Sequence, residues 1–154
     1  HTPLDRTTHH LINDHTMALM RDDAVLINAS RGEVASTETL LKASQRLLID
    51  VWEHEPEIDR ELLAKAIVAT PHIAGYSADG KANATRMSLE ALCRFFHIDA
   101  EFEVLPPELP SMFYSPDEEE AFLQRYNPLL DSERLKAAPD KFEWLRGNYP
   151  LRRE

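Results

Sequence analysis

Short apolar runs alternate with segments of helical periodicity along the first part of the chain. Three of the runs have the length of a strand and are almost continuously apolar, which is typical of strands covered on both faces: residues 24–28, 46–52 and 66–70. The segments between them repeat apolar residues at three- and four-residue intervals, as amphipathic helices do. Strands that alternate with helices in this way predict a parallel sheet of the α/β class.

The helical segments carry start signals of their own. Asn13 is a suitable N-cap for a helix that buries Met17 and Met20. Ser36 or Thr37 can cap the next helix. Two further helices are expected, one short and one long: residues 59–66 and 83–96.

The composition changes near residue 99. Residues 98–120 carry four prolines and eight acidic residues, which indicates a domain boundary or a linker. A helix restarts with Ser115 as N-cap and Pro116 at its first position. The apolar residues of the tail are too few for an independent core, so we expect it to pack on another surface, such as a second subunit. We therefore predict one domain over 1–98 and a small α-rich C-terminal module over 99–154.

Charge and cysteine content exclude several classes of partner. With 27 acidic and 17 basic residues, the net charge of −10 argues against nucleic acid and against an anionic membrane surface. The single Cys93 cannot form an internal disulfide, and no apolar run has the roughly 18 residues of a membrane span, so we expect a cytoplasmic protein. The chain opens with His1 in the middle of a pattern, so we also expect further sequence upstream.

Charged side chains follow all three predicted strands. Arg31 follows the first strand and His72 follows the third. Asp50 lies at the end of the second strand, and Glu55 follows that strand. The carboxyl ends of parallel strands share one edge of a sheet, where α/β proteins bind ligands. An arginine can hold a carboxylate with two hydrogen bonds, a histidine can exchange protons near neutral pH, and a neighbouring carboxylate can orient it. This set suits the oxidation of a hydroxy acid.

Each of these residues also has a structural interpretation. Taken alone, Arg31 could be a solvated loop residue, Asp50 a loop cap, Glu55 a surface turn residue and His72 a packed imidazole. Their joint occurrence at three successive strand ends favours a site. No metal is predicted, because the spacing of the remaining candidates does not place them on one helix face: His9, His10 and His15.

Four motifs, in this order, resemble the second half of the cofactor domain of the D-isomer-specific 2-hydroxyacid dehydrogenases: "HTPL", "LINASRG", "DVWEHEP" and "TPHIAGY". The likeness covers residues 1 to about 97. It implies a partial doubly wound, Rossmann-type parallel sheet, NAD as cofactor and a small hydroxy acid as substrate. The segment "HIAGYSADGKA" and the C-terminal module are similar to members that act on a phosphorylated hydroxy acid and form a homodimer through a C-terminal domain.

The resemblance also implies roles for individual residues. Arg31 would clamp the substrate carboxylate, His72 would take the hydroxyl proton, and Glu55 would hold and polarise His72. Tyr76 would contact the substrate. Five residues would lie along the cofactor: Thr2, Ala29, Ser30, Asp50 and Gly75.

The departures from the family pattern limit what this chain can do alone. The sequence has four glycines and no G-x-G-x-x-G, so the turn that binds the pyrophosphate is absent from it. We expect that turn and part of the substrate site upstream, and we expect the chain alone to be inactive. The segment between Arg31 and Asp50 is also shorter than the family pattern leads us to expect, because the predicted helix runs into the second strand almost without a loop. Alternative functions are a dehydrogenase of another 2-hydroxy acid, such as phosphoglycerate dehydrogenase, and a non-catalytic NAD-sensing or dimerising relative.

Overall fold

The computed structural model describes residues 2–108 and 115–153. In chain order, the helices and strands within these ranges are α1 (Asp14–Ala18), β1 (Val25–Asn28), α2 (Thr37–Lys42), β2 (Arg46–Ile49), α3 (Arg60–Lys65), β3 (Val68–Ala69), α4 (Ala78–Phe96), α5 (Glu118–Arg125), α6 (Pro128–Ala137) and α7 (Phe142–Gly147). Single 3-10 turns precede α2 and α7, at Gly32–Val34 and Pro139–Lys141.

The chain divides into two compact units. The first consists of the residues up to Ala74 together with Pro128–Asn148, and the second of Gly75–Asn127 together with the residues from Tyr149 onward. These units do not follow the boundary that we predict after residue 98, because the chain returns to the first unit for α6 and α7.

The first unit is built on a parallel sheet with the strand order β1-β2-β3. Asn28 pairs with Ile49, and Ile49 pairs in turn with Ala69, so the three strands end side by side. All three strands lie within the predicted apolar runs, although β3 has only two residues. Because β2 ends at Ile49, Asp50 is the first residue beyond the sheet edge. The predicted run over 46–52 is therefore three residues too long, and Asp50 does not lie within the strand.

The early helices begin largely where the sequence predicts. The side chain of Asn13 accepts the backbone N–H groups of His15 and Thr16, and Thr16 closes a capping box. Met17 is buried, whereas Met20 is only half-buried. Only three residues connect α2 to β2, and the Lys65 ammonium at the end of α3 donates to the carbonyl of Leu41 in α2 and to that of Ala43 in this connection.

Helices α6 and α7 complete the core of the first unit. Leu135 on α6 and Phe142 on α7 are 0% and 1% exposed and belong to the same apolar cluster as Leu47 and Leu62. The hydroxyl of Ser132 accepts the backbone N–H of Ala69 in β3 at 3.0 Å. The tail therefore does pack on another surface, as its few apolar residues predict, but this part of it packs on the sheet of its own chain.

Replacing Ser132 with alanine should lower the free energy of unfolding by about 1–3 kcal/mol, because the N–H of Ala69 would lose its acceptor in a buried position. Chemical denaturation of both proteins measures the difference. Ser88→Ala is the matched control, since its hydroxyl donates to the carbonyl of Ala84 on an exposed helix face. An equal change in the two variants would contradict the role assigned to Ser132.

The second unit contains the longest helix, α4. It starts five residues before the predicted segment, because the Ser77 hydroxyl accepts the N–H of Gly80 and caps it. It ends at His97, whose left-handed backbone, with φ of 52°, closes the last turn. Several large apolar side chains of α4 are exposed: Met87, Leu92, Phe95 and Phe96.

The start of helix α5 differs from the prediction. Its N-cap is Asp117, whose carboxylate accepts the N–H of Glu120, and not Ser115. Ser115 lies just before the helix and donates its hydroxyl to the Glu120 carboxylate. Within the predicted linker, residues 109–114 lie outside the described residues. No helix in the described ranges has the length and apolar character needed to cross a membrane.

Candidate active site

The structure brings His72 and Glu55 into direct contact. Glu55 Oε2 lies 2.8 Å from His72 Nδ1, and Glu55 Oε1 accepts the backbone N–H of Trp52 at 2.8 Å. The side chains of the pair are 25% and 17% exposed. A carboxylate held at Nδ1 favours the tautomer with its proton on that nitrogen, which leaves Nε2 as the acceptor of a neutral ring.

The backbone of His72 adopts a left-handed conformation. Its φ of 57° lies in the left-handed region, which residues other than glycine seldom adopt. The N–H of His72 donates to the carbonyl of Asp50 at 2.8 Å, which ties this conformation to the end of β2. Three other histidines, His10, His54 and His97, also adopt a positive φ, so the functional interpretation of His72 rests on its contact with Glu55.

Asp50 organises the segment around His72. Its carboxylate is buried and accepts the Thr70 hydroxyl at 2.6 Å and the N–H of Ile73 at 2.8 Å through Oδ1. Oδ2 accepts the N–H of Ala74 at 3.1 Å. One side chain after β2 therefore holds the Thr70 side chain before His72 and the backbone after it. The resemblance implies a place for Asp50 beside the cofactor, whereas these contacts within the protein are not predicted.

The loop that carries Arg31 packs against the loop that carries Glu55. A Cβ on Gly32 would lie 2.0 Å from the carbonyl oxygen of Trp52, so only glycine allows the two backbones to approach this closely. The Asn28 amide donates to the carbonyl of Arg31 at 3.0 Å. The Arg31 side chain itself is exposed, and its guanidinium donates to the carbonyl of Ser30.

Replacing Gly32 with alanine should lower the free energy of unfolding by about 2 kcal/mol, because backbone atoms would have to move to relieve the contact. Thermal or urea unfolding of the variant measures this change. Gly147→Ala is the control in the same unit, because a Cβ at Gly147 meets nothing within 4 Å. A Gly32→Ala protein as stable as this control would show that the loops can separate without cost.

The predicted cofactor residues of the first unit lie at different depths. Ser30 is buried, and its N–H and its hydroxyl both donate to Asn28 Oδ1. Ala29 and Thr2 are half-buried. Ala29 and Ser30 follow β1 directly, as Asp50 follows β2, so both loops start at the same edge of the sheet.

Gly75 and Tyr76 belong to the second unit. Gly75 is exposed, and a Cβ there would meet nothing within 4 Å, so its backbone is open to a ligand. Tyr76 is half-buried and comes four positions after His72 in the sequence.

A second carboxylate and histidine pair supports the same loops from the side of α2. Glu53 Oε1 lies 2.6 Å from His10 Nε2, and Glu53 Oε2 accepts the N–H of Thr37 at 2.6 Å. Burial raises the pKa of Glu53, but the hydrogen bonds from Thr37 and His10 outweigh it, so this pKa lies below its ordinary value of 4.5. The sequence indicates His10 only as a candidate metal ligand, and its contact with Glu53 is not predicted. Among the described residues, no group of three or more potential ligands could hold a metal ion.

The lowered pKa of Glu53 predicts a loss of stability in acid. A carboxyl whose pKa is lower in the folded chain stabilises the fold above its unfolded pKa, near 4.5, and loses this contribution as the pH falls through its folded pKa. The free energy of unfolding should therefore decrease less on acidification in Glu53→Gln than in the wild type. Urea titrations at several pH values below about 6 test this, with the exposed Glu143→Gln as control. Parallel curves for wild type and Glu53→Gln would contradict it.

Comparison with known sequences identifies related proteins. Residues 1–74 match the family described as D-isomer specific 2-hydroxyacid dehydrogenase, NAD binding domain. Over its whole length the chain is 54% identical to an erythronate-4-phosphate dehydrogenase of Bacteroides thetaiotaomicron and 43% identical to one of Porphyromonas gingivalis, and it covers 47% of each. The chain thus spans about half the length of the curated relatives it matches.

Solved structures with a similar fold are also dehydrogenases. The holo form of D-mandelate dehydrogenase from Rhodotorula graminis is 29% identical with a TM-score of 0.55, over 61% of this chain and 29% of that one. D-lactate dehydrogenase from Aquifex aeolicus, solved with NAD and lactic acid, is 27% identical with a TM-score of 0.51, over 63% and 36%. Together with the family match, these likenesses confirm the predicted Rossmann-like parallel fold and NAD as the cofactor.

Proposed function

Since the whole chain is homologous to erythronate-4-phosphate dehydrogenases and residues 1–74 match an NAD-binding domain, we propose that the natural protein carrying this sequence oxidises 4-phospho-D-erythronate. The product is the 2-oxo acid 3-hydroxy-2-oxo-4-phosphooxybutanoate. This reaction serves the biosynthesis of pyridoxal phosphate, vitamin B6. The observation that carries the proposal is the pair formed by His72 and Glu55, since an imidazole oriented by a carboxylate is what proton removal from a hydroxyl requires.

In the proposed reaction, His72 is the general base. Its Nε2 accepts the proton of the substrate hydroxyl, the C–H bond on the same carbon gives up both electrons as hydride, and the carbon–oxygen double bond forms. The resulting imidazolium is stabilised by the Glu55 carboxylate at Nδ1, which the N–H of Trp52 holds in place. In the reverse direction the same nitrogen returns the proton.

Arg31 and Tyr76 are proposed to bind the substrate. The planar guanidinium of Arg31 can hold the carboxylate next to the reacting carbon, and the exposed position of Arg31 beyond β1 is compatible with that role. Gly32 supports this arrangement, because its contact with Trp52 fixes the loop that begins with Arg31. The phenol of Tyr76 would contact another part of the substrate.

The residues at the sheet edge fit the nicotinamide end of NAD, which supplies the hydride acceptor when bound. The Asp50 carboxylate accepts hydrogen bonds from Thr70 and Ile73 through Oδ1 and from Ala74 through Oδ2. Oδ2 can therefore accept one more hydrogen bond, from a ligand donor such as an amide. The backbone of Ala29, Ser30 and Gly75 and the side chain of Thr2 are proposed to line the remainder of this end. The described residues contain no glycine-rich turn for the pyrophosphate.

We further propose a cytoplasmic homodimer. Large exposed side chains of the second unit supply apolar surface for a partner, among them Phe95 at 77% and Phe122 at 62% exposure. The dimerisation role predicted for residues 99–154 is proposed here for their second-unit part, because α6 and α7 already cover the sheet. Sedimentation of the natural protein and of Phe95→Ser tests this, and an unchanged dimer in the variant would exclude that helix from the interface.

The proposed substrate is tested by NADH formation with 4-phosphoerythronate, 3-phosphoglycerate and D-lactate side by side. We expect the highest kcat/KM with 4-phosphoerythronate. A preference for another acid would retain the mechanism and remove the vitamin B6 role. Measurable NAD binding without turnover of any of the three acids would point to the non-catalytic sensor instead.

A further inference from the structure

The last residues of the chain pair with the start of α4. Arg152 forms a parallel bridge with Ser77, and the N–H of Ala78 donates to the carbonyl of Arg152 at 2.8 Å. These contacts join two segments that lie 75 positions apart in the sequence, counted from Ser77 to Arg152, inside one compact unit. The C-terminal segment, defined here as residues 149–153, is thus part of the structure that follows Tyr76.

A bidentate ion pair anchors the C-terminal segment. The Arg153 guanidinium donates to both carboxylate oxygens of Asp79 at 2.8 Å, with a third contact of 3.1 Å. The side chains are 47% and 23% exposed, so the pair is only partly screened by water. Two parallel hydrogen bonds fix the direction of both groups, which a single contact does not do.

The C-terminal segment also contacts the ring of Tyr76. The Tyr149 ring meets it edge to face, with centroids 6.2 Å apart and planes at 76°. The Lys81 ammonium lies 4.1 Å from the centre of the same ring. Tyr76 is half-buried, and an aromatic and a cation contact of this geometry restrict the rotation of its side chain. The orientation of Tyr76 therefore depends on α4 and on the C-terminal segment together.

We infer that the C-terminal segment is a positioning element for substrate recognition: Arg153, by its bond to Asp79, and Tyr149, by its contact with Tyr76, hold the Tyr76 phenol in its substrate-binding orientation. This inference rests on the proposed function, which assigns Tyr76 to the substrate. It makes Arg153 and Tyr149 positioning residues that do not touch the reacting atoms.

The first test measures steady-state kinetics of Arg153→Met in the full natural protein with 4-phosphoerythronate and NAD. We expect the KM for the acid to rise about fivefold, the upper range for one partly exposed ion pair, with kcat and the KM for NAD unchanged. Asp79→Asn should give the same change. Arg86→Met is the matched control, since Arg86 pairs with Glu90 on the same helix with side chains 44% and 43% exposed.

Two further variants separate positioning from a general structural role. The exchanged pair, Asp79→Arg with Arg153→Asp, should recover most of the lost affinity for the acid because it restores the ion pair. In a Tyr76→Leu background, Arg153→Met should raise the KM for the acid no further, because the residue through which it acts is already gone. Tyr149→Leu should behave like Arg153→Met.

The outcomes are distinct. A KM for the acid that is unchanged in Arg153→Met and Asp79→Asn, or a kcat and a KM for NAD that change with it, would overturn the inference while the proposed function stands. Additive effects of Arg153→Met and Tyr76→Leu would also overturn it. A wild-type protein that oxidises none of the acids would refute the proposed function itself, and the inference would fall with it.

Discussion

Replacing His72 with alanine is expected to lower kcat for 4-phosphoerythronate oxidation by on the order of 10²–10⁴, the usual contribution of a general acid or base. The substrate hydroxyl would lose its proton acceptor, while Asp50 would still hold the N–H of Ile73 and thus the local backbone. Affinity for NAD should be retained, because the imidazole is assigned to the proton and not to the cofactor. Steady-state kinetics together with an NADH binding titration measure both quantities.

The control must account for the unusual backbone of His72. His72→Asn removes the imidazole but keeps a residue that tolerates a positive φ, so it should lose activity as fully as the alanine variant while remaining folded. His97→Asn changes another left-handed histidine, with φ of 52°, at the end of α4, and should leave kcat unchanged. Full turnover by a folded His72→Asn protein would remove His72 from the mechanism.

Replacing Asp50 with alanine is expected to lower the free energy of unfolding by about 3 kcal/mol, because two buried donors, the Thr70 hydroxyl and the Ile73 N–H, would lose their acceptor. The variant should also lose activity, since the segment around His72 would no longer be fixed. Denaturant titration gives the stability, and the kinetics of the protein that remains folded give the activity.

Asp23→Ala is the control for this second prediction. Asp23 is an exposed carboxylate paired with Arg21, so its removal should change the free energy of unfolding by less than about 1 kcal/mol. Asp50→Asn keeps one acceptor oxygen and should fall between wild type and Asp50→Ala. If Asp50→Ala were as stable as Asp23→Ala, the hydrogen bonds around Asp50 would not be what fixes the His72 segment.

Local features of the fold could be predicted from the sequence because they depend on neighbouring residues. Continuous apolar runs mark strands, and the three strands of the sheet lie inside them. The expected cover on both faces is wrong for β1, because Val25 and Ile27 on one of its faces are exposed. Asn13 caps α1 as predicted because an N-cap requires only a short polar side chain and the next backbone N–H groups. The positions of Arg31 and His72 beyond the strands follow from the same pattern, whereas the predicted second run, 46–52, includes Asp50. The roles of all three residues stay predictions.

Features that depend on distant contacts could not be predicted. Ser132 and Ala69 are 63 residues apart, and only the folded chain shows that α6 belongs to the sheet. Nothing in the sequence around Gly32 indicates that the backbone carbonyl of Trp52 lies against this glycine. The docking of the C-terminal segment on α4 is of the same kind, because a tail rich in arginine is compatible with solvent as well as with an acidic partner.

The role of Asp50 shows a further limit of sequence reasoning. A carboxylate at a strand end can accept hydrogen bonds from a ligand or from the protein, and the sequence pattern is the same for both. The structure shows three acceptor contacts within the protein, to Thr70, Ile73 and Ala74. A signal in the sequence is Thr70, followed after two residues by the apolar residues Ile73 and Ala74, whose backbone N–H groups can donate. This pattern is too common to be specific.

Hydride transfer is tested with 4-phospho-D-erythronate deuterated at carbon 2, incubated with NAD and the natural protein that carries this sequence. We expect the deuterium to appear on the nicotinamide ring of the reduced cofactor, because hydride leaves the carbon whose hydroxyl proton goes to His72. Reduced cofactor without deuterium, or no reduction by a protein that binds NAD, would contradict it.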